Sequence, residues 1–353
     1  MSEYRSAGST TVFGPELSSY ASFRIPAVVN TAGGILAFCE GRRHSAADNG
    51  EIDIVLRRSA DGGRSWGPLR IVATADHATV GNPAPVVDPL TGTVVLLSVQ
   101  NPADLTEHDI LRGRFGRRVF VQRSQDSGRT FSAPLDITAQ TRPAHWGWYA
   151  TGPGHGIALG CGRLVVPANH SVLPHPGGTT AQMYGAHCLL SDDGGLTWTV
   201  GFTDDNAGNK VNANESTVAE LPDGRLYFNA RNQGGLGTRV DTYSADGGRT
   251  LTYPYRPQPS LLTPVVQGSL LQWPGGPLLY SGPCHQRQRA RMGIQVSSDH
   301  GRCWRIAHIL DDRPAGYSDL VRCGERTLGI LYETGVDGPY EEIRFHRLEF
   351  AAE

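Results

Sequence analysis

An all-β fold of short antiparallel strands is predicted by three observations. An octapeptide recurs along the chain, a pair of apolar segments with period two lies upstream of each copy, and the composition is rich in glycine. Glycine fills 44 of 353 positions, about 12% where an average chain has about 7%. With 23 prolines, that balance favours tight turns over long helices. Helical amphipathic periodicity of useful length is absent.

The octapeptide appears as SADGGRSW (59–66), SQDSGRTF (124–131), SDDGGLTW (191–198), SADGGRTL (244–251) and SSDHGRCW (297–304). Its aspartates, at 61, 126, 193, 246 and 299, are spaced by 65, 67, 53 and 53 residues. Each copy follows an alternating run such as IDIVLRRS or RVFVQRS, which marks it as a hairpin turn. The Asp accepts backbone N–H bonds, the Gly takes φ > 0, and the last residue packs back onto the sheet. A metal loop would need more acidic ligands than these. The copies are therefore read as structural.

Upstream lie hairpins split by Gly, Pro or Asp turns: RIPAVVN with ILAFCEG, APVV with TVVLLSV, GIALG with RLVVPAN, STVAEL with RLYFNAR, and GSLLQW with PLLYSG. A sixth, SDLVR with RTLGILYE, lacks the octapeptide, but EEIRFHRLEF supplies a third strand and the N-terminal STTVF a fourth. Six such units predict a six-bladed β-propeller of four-stranded antiparallel blades, a single catalytic domain over 1–353. Radial repetition of this kind protects strand edges.

Composition narrows the partners. With 32 Lys+Arg against 34 Asp+Glu and a net charge of −2, the chain lacks the basic surplus that nucleic acid demands. No apolar run approaches the roughly 18–20 residues of a membrane span. The start MSEYRSAGSTTVF lacks a signal-peptide core, so the expectation is a cytoplasmic protein or a secreted one whose signal has been removed. Six scattered cysteines without zinc-ligand spacing read as buried thiols. Lys210 is the only lysine, so anion binding must rely on guanidinium groups.

Connectivity assigns ends. If the end where each first strand begins is the top, second strands finish there and the octapeptide turns fall at the bottom. Arg24 opens a first strand in FRIP; Glu40 and Arg42 end the next strand, and Asp48 follows in the loop. Glu215 opens the first strand of the fourth unit and Arg231 ends its second. Arg289 lies in the loop HQRQRARMG, Tyr317 precedes SDL, and Glu333 closes LYE. Singly, each reads as a solvated charge, a turn cap or a packing residue. Together, three arginines on one face repel unless an anion or partner carboxylates compensate them. The convergence points to a site for a carboxylate-bearing ligand with acid/base groups alongside. Asn82, Pro83, Trp146, Trp148, Tyr149 and Tyr184 are expected to shape it, and the polar stretch 101–116 to form its rim. His155 reads as a satisfied structural histidine, with a place in the pocket wall as the alternative.

FRIP, the repeated octapeptides (Asp boxes), NE with NAR, and a Tyr in GYS followed by LYE resemble the exo-α-sialidase (neuraminidase) family, in order and over nearly the whole chain. The resemblance implies a retaining exo-α-sialidase that releases terminal sialic acid through a covalent sialyl-tyrosine. It implies an arginine triad of Arg24, Arg231 and Arg289 on the substrate carboxylate. Arg287, Arg289 and Arg291 crowd one loop, and Arg289 is chosen on the match of QRARMG. Asp48 would be the general acid/base, Tyr317 the nucleophile, Glu215 its activating base and Glu333 the carboxylate holding Arg24. Arg42 and Glu40 match a secondary substrate-pocket stretch. The implied partner is a sialylated glycan on a glycoprotein, glycolipid or oligosaccharide. No metal or other cofactor, nucleic acid or membrane partner is implied, and the chain is expected to be a monomer. A non-catalytic glycan-binding propeller would need the arginines but neither acid nor nucleophile. Transfer of sialic acid to another sugar, or preference for a deaminated sialic acid, stays open.

Overall fold

Alternating apolar and polar residues become strands, and the Gly-containing segments between them reverse the chain. The structure, a computed structural model, describes residues 4–173, 184–206, 211–235 and 237–350; Lys210 lies outside them. Ser22–Thr31, Gly34–Arg42, Ile52–Ser59 and Arg70–Ala73 form the first antiparallel meander. Ala78–Val87, Val94–Pro102, Arg118–Ser124 and Leu135–Asp136 form the second, and a parallel pairing of Ile52 with Thr79 joins the two. In the third, Trp146–Thr151 and Ile157–Ala158 both pair with Leu164–Val172, followed by Tyr184–Ser191 and Thr199–Asp204. Ala213–Glu220, Leu226–Asn232, Thr238–Ser244 and Arg256–Leu262 come next, then Ser269–Gln272, Leu278–Pro283, Met292–Ser297 and Arg305–Ile309. The last meander, Ala315–Arg322, Thr327–Thr334 and Glu342–Phe350, is completed by N-terminal Tyr4–Phe13, with Tyr4 opposite Phe350 and Phe13 opposite Ile343. The expected fourth strand from STTVF is therefore present. Among the described residues, α-helix is confined to Glu107–Leu111 and Thr138–Thr141.

Apolar side chains fill the spaces between successive meanders. Leu97 and Val121 of the second pack with Leu164 and Val166 of the third, and Tyr227 and Leu261 of the fourth with Leu270 and Tyr280 of the next. Val28 and Cys39 of the first meet Leu331 and Phe345 of the last.

The octapeptide turns sit between third and fourth strands, as expected. In the first, Asp61 accepts the amides of Arg64 and Ser65 at 3.0 and 2.9 Å and the Ser65 hydroxyl at 2.6 Å, while the Ser59 hydroxyl accepts the Gly63 amide at 2.8 Å. The bonds from the Ser65 hydroxyl and amide hold the Asp61 carboxyl well below the usual carboxylate range. The terminal residue does more than return to its own sheet. It wedges into the seam with the preceding meander: Trp66 stands edge-on to Phe345 with centroids 5.2 Å apart, Trp198 is buried beside Val95 and Val121, and Leu251 packs beside Val165 and Phe202. The turns thus tie neighbouring sheets together.

One expectation fails in part. Cys39, Cys188 and Cys284 are buried thiols, but Cys161 and Cys303 are exposed and Cys323 is half-buried. Cys161 lies in the turn before Leu164–Val172 and Cys303 in an octapeptide turn, where no sheet covers them.

First strands carry bulges near their starts. Register slips fall between Arg24 and Ala27, Gly81 and Ala84, Trp146 and Tyr149, Ala213 and Ser216, and Ala315 and Ser318. A bulge lets one strand turn an extra side chain out of the alternating pattern. Ile25 and Asn82 take φ of 61° and 54° within two of them, each just before a proline. For a β-branched residue such as Ile25 this backbone is strained.

The octapeptide geometry generates a stability test. Gly63 has φ of 82°, and a Cβ there would lie 2.1 Å from Phe345. Gly63→Ala should therefore destabilise the fold by roughly 2–4 kcal/mol, from overpacking together with the left-handed penalty. Gly92→Ala, at φ of 71° with nothing within 4 Å, should cost only about 1–2 kcal/mol. Urea unfolding of both variants distinguishes the two, and equal losses would contradict the wedge.

Candidate active site

The bulged residues Ile25, Asn82, Trp148, Glu215 and Tyr317 all face one cavity of about 410 Å³. Arg24, Glu40, Arg42, Asp48, Arg231 and Arg289 line the same cavity. Glu333 lies directly behind it, fully buried. The structure thus brings together the residues that connectivity assigned to one face.

Tyr317 lies at the centre, buried against Ile25 and Val266. Its hydroxyl donates to Glu215 Oε1 at 2.5 Å and accepts from Arg231 Nη1 at 2.9 Å, and that Nη1 also meets Glu215 Oε2 at 2.9 Å. Burial, and next the Glu215 charge, push the Tyr317 phenol well above its ordinary pKa; Arg231, Arg289 and Arg24 pull the other way. At neutral pH the group is a phenol poised against a carboxylate.

Compensation of the guanidiniums is uneven. Arg24 donates from Nε to Glu333 Oε1 at 2.7 Å. Burial alone would favour its discharge, but the Glu333 charge and hydrogen bond more than offset that and raise its pKa. The same carboxylate accepts the amides of Ile25 and Tyr317 at 2.9 Å each, joining the first and last meanders. Arg231 follows the same logic, with burial opposed by Glu215. Arg289 bonds the Val265 carbonyl at 2.8 Å and the Tyr340 hydroxyl, both neutral acceptors. Of the three arginines in its loop, Arg289 lines the cavity; Arg287 borders a separate groove, and Arg291 turns to Asp312 at 2.9 Å.

Asp48 occupies the loop between Gly34–Arg42 and Ile52–Ser59, with its side chain 79% exposed. Arg42 orients it through Nη1 at 2.8 Å while holding Glu40 at 2.8 Å through Nη2. Glu40 in turn accepts the Asn82 amide at 3.0 Å.

Several expectations shift. Asn82, Trp148 and Tyr184 line the cavity. Trp146 and Tyr149, expected there too, are buried in the seam between the second and third meanders, because the bulge turns Trp148 outward and its neighbours inward. His155 bonds Asp319 at 2.7 Å; burial lowers its pKa, but the Asp319 carboxylate more than reverses this. The stretch 101–116 contains the helix Glu107–Leu111, started by a capping box between Thr106 and Asp109.

Among the lining residues that the sequence reading did not single out are Glu107, Arg117 and Tyr340. Glu107 comes from that short helix and bonds the Tyr184 hydroxyl; burial raises its pKa, against the opposing Tyr184 bond and the Arg117 charge. Arg117, buried without a carboxylate in bonding reach among the described residues, donates to Asn101 and Asn82 at 2.9 and 3.1 Å and lies 4.1 Å over the Trp148 ring. Burial lowers it to about 10. Both Arg117, just before a third strand, and Tyr340, in the loop after LYE, obey the connectivity rule that placed Arg289. Their signal was position, and nothing in their local sequence distinguished it.

Among the described residues no group of three or more His, Cys, Asp or Glu could hold a metal ion. Arg24, Arg231 and Arg289 surround the Tyr317–Glu215 phenol–carboxylate pair, and Asp48, Glu40 and Glu107 also line the cavity. It can fix an anionic group, move a proton from phenol to Glu215, and exchange a proton at Asp48.

Residues 33–331 match the BNR repeat-like domain family. An exo-alpha-sialidase of Aspergillus fumigatus is 33% identical over 349 residues, covering 89% of this chain and 79% of the relative. Human sialidase-3 is 31% identical, with 92% and 88% covered. A Hadza microbial sialidase superposes with a TM-score of 0.79 at 28% identity, over 93% of this chain and 66% of its own.

The Arg24–Glu333 pair offers a test independent of any substrate. Glu333→Gln leaves a buried guanidinium without its counter-charge and should cost roughly 3–5 kcal/mol in urea unfolding. Asp48→Asn, which removes an exposed carboxylate while Arg42 keeps Glu40 as partner, should change stability by less than about 1 kcal/mol. Equal effects would contradict the burial argument.

Proposed function

We propose, for a chain that belongs to the exo-alpha-sialidase family and is a sialidase-type glycoside hydrolase, that it is a retaining exo-α-sialidase acting through a covalent sialyl-tyrosine on a single six-bladed propeller. The observation that carries this reading is the 2.5 Å contact between Tyr317 and Glu215 inside an arginine-lined cavity. The substrate class is a terminal sialic acid on a glycoprotein, glycolipid or oligosaccharide.

Sialic acid bears a carboxylate on its anomeric carbon. An anionic Asp or Glu nucleophile would meet like charge at the point of attack, whereas a phenol is neutral until its proton leaves, which is the physical basis for the tyrosine exception among glycosidases. Arg24, Arg231 and Arg289 grip the carboxylate through charge-assisted bonds. Glu215 takes the phenolic proton, and the Tyr317 oxygen bonds the anomeric carbon. Asp48 gives its proton to the departing glycosidic oxygen. The charge developing on the phenol oxygen is offset by Arg231, already 2.9 Å away.

In the second half, Asp48 takes a proton from water and the water oxygen attacks the same carbon. The tyrosyl oxygen departs and recovers its proton from Glu215. Two inversions at one centre yield net retention. The raised Tyr317 pKa fits this sequence, because the phenol stays protonated at rest and is activated only by transfer to Glu215.

Tyr317→Phe should lower kcat on an aryl sialoside by several orders of magnitude while leaving the unfolding midpoint close to wild type; near wild-type turnover would remove Tyr317 as nucleophile. Proton NMR of the first-formed product should show the α-anomer before mutarotation. A β-anomer formed first would reject the double displacement.

A further inference from the structure

We propose that Tyr340 is a positioning residue that presets Arg24 and Arg289 for a substrate carboxylate, an inference resting on the sialic-acid reading above. One phenol touches both guanidiniums. The Arg24 Cζ lies 3.7 Å from the centre of the Tyr340 ring, and the Tyr340 hydroxyl accepts from Arg289 Nη1. The ring also seats over Gly316, the residue before Tyr317: a Cβ there would lie 3.1 Å from Tyr340 Cε1.

The loop that presents Tyr340 is locked from within. Glu341 accepts the amides of Val336, Asp337 and Gly338 at 2.9, 2.8 and 2.8 Å. The side chain next to this clamp therefore holds a defined position in a segment with little core of its own.

The choice of a phenol has an electrostatic reason. A third protein carboxylate at Arg289 would fix its orientation but cancel the charge that an anionic ligand needs, and would compete with it directly. A neutral hydroxyl orients the guanidinium and leaves its charge intact. On Arg24, Glu333 engages Nε only. The aromatic face of Tyr340 then fixes the plane of the guanidinium by cation–π attraction, which strengthens where water is excluded. The terminal nitrogens of Arg24 stay available.

Side-chain NMR of the arginine Nε–H groups tests this without substrate, alongside calorimetry with a planar unsaturated sialic acid and its carboxamide. Tyr340→Phe should keep the Arg24 resonance and move that of Arg289, while Tyr340→Ala should move both and leave Arg42 in place. Tyr340→Phe should weaken the acid roughly ten-fold, about 1.4 kcal/mol, with the carboxamide almost unaffected. On an aryl sialoside the loss should fall on KM more than on kcat, as expected for a lost ground-state contact.

Unmoved arginine resonances in Tyr340→Ala, or an equal loss of affinity for acid and carboxamide, would overturn the proposal. Should Tyr340→Ala fail to fold, Tyr340→Phe alone decides, through Arg289 and the acid-to-carboxamide ratio. A wild-type protein that binds neither probe would sink the sialidase reading instead, and the arginine resonances would still decide whether Tyr340 orients the pair.

Discussion

Mutual repulsion among Arg24, Arg231 and Arg289 is the constraint from which the rest of the site follows. Three guanidiniums beside one cavity cannot be desolvated without compensation. The chain meets the requirement in three different ways. Arg24 has a fully buried carboxylate, Arg231 shares its carboxylate with the Tyr317 phenol, and Arg289 has only neutral acceptors among the described residues. The cavity therefore keeps a net pull on an anion while each arginine retains a fixed orientation. The same arrangement polarises Tyr317, since the carboxylate that balances Arg231 is the one in contact with the phenol.

The sheets serve this constraint by controlling direction. A regular strand alternates its side chains and could send only every second residue toward the cavity. Bulges at the starts of five first strands break the alternation where it matters, and Ile25 and Asn82 take left-handed backbone to do so. Such strain is tolerated because the surroundings over-determine it. Glu333 accepts the Ile25 amide and the Tyr317 amide together. At the opposite end of the meanders that carry them, the octapeptide turns wedge Trp66, Trp198 or Leu251 into the seams. One set of irregularities builds the site while another locks the frame that holds it.

Much of this was legible in the chain itself. The octapeptide, a local motif closed by hydrogen bonds within a few residues, announces its own turn, and period-two alternation announces the strands on either side. Connectivity alone then carries Arg24, Asp48, Glu215, Arg231, Arg289, Tyr317 and Glu333 to one end, because a hairpin leaves no choice about which end its loop occupies. Residues whose importance is purely spatial were harder to see. Arg117 and Tyr340 lie in segments with ordinary composition, whereas the exposure of Cys161 and Cys303 follows from the turns that hold them.

What the sequence determined by itself was therefore the all-β class, the turn chemistry and the end of the sheets on which each polar residue falls, all of which depend on contacts within a hairpin. What only the tertiary structure decided was which neighbours meet across meanders: Glu333 with Arg24, Glu215 with Tyr317, Tyr340 between two arginines, and Trp148 rather than Trp146 in the cavity. Those contacts join residues as far apart as 24 and 333, and they depend on where bulges shift the register. A shift of one residue reverses the direction of every side chain beyond it, and local composition carries no record of that choice.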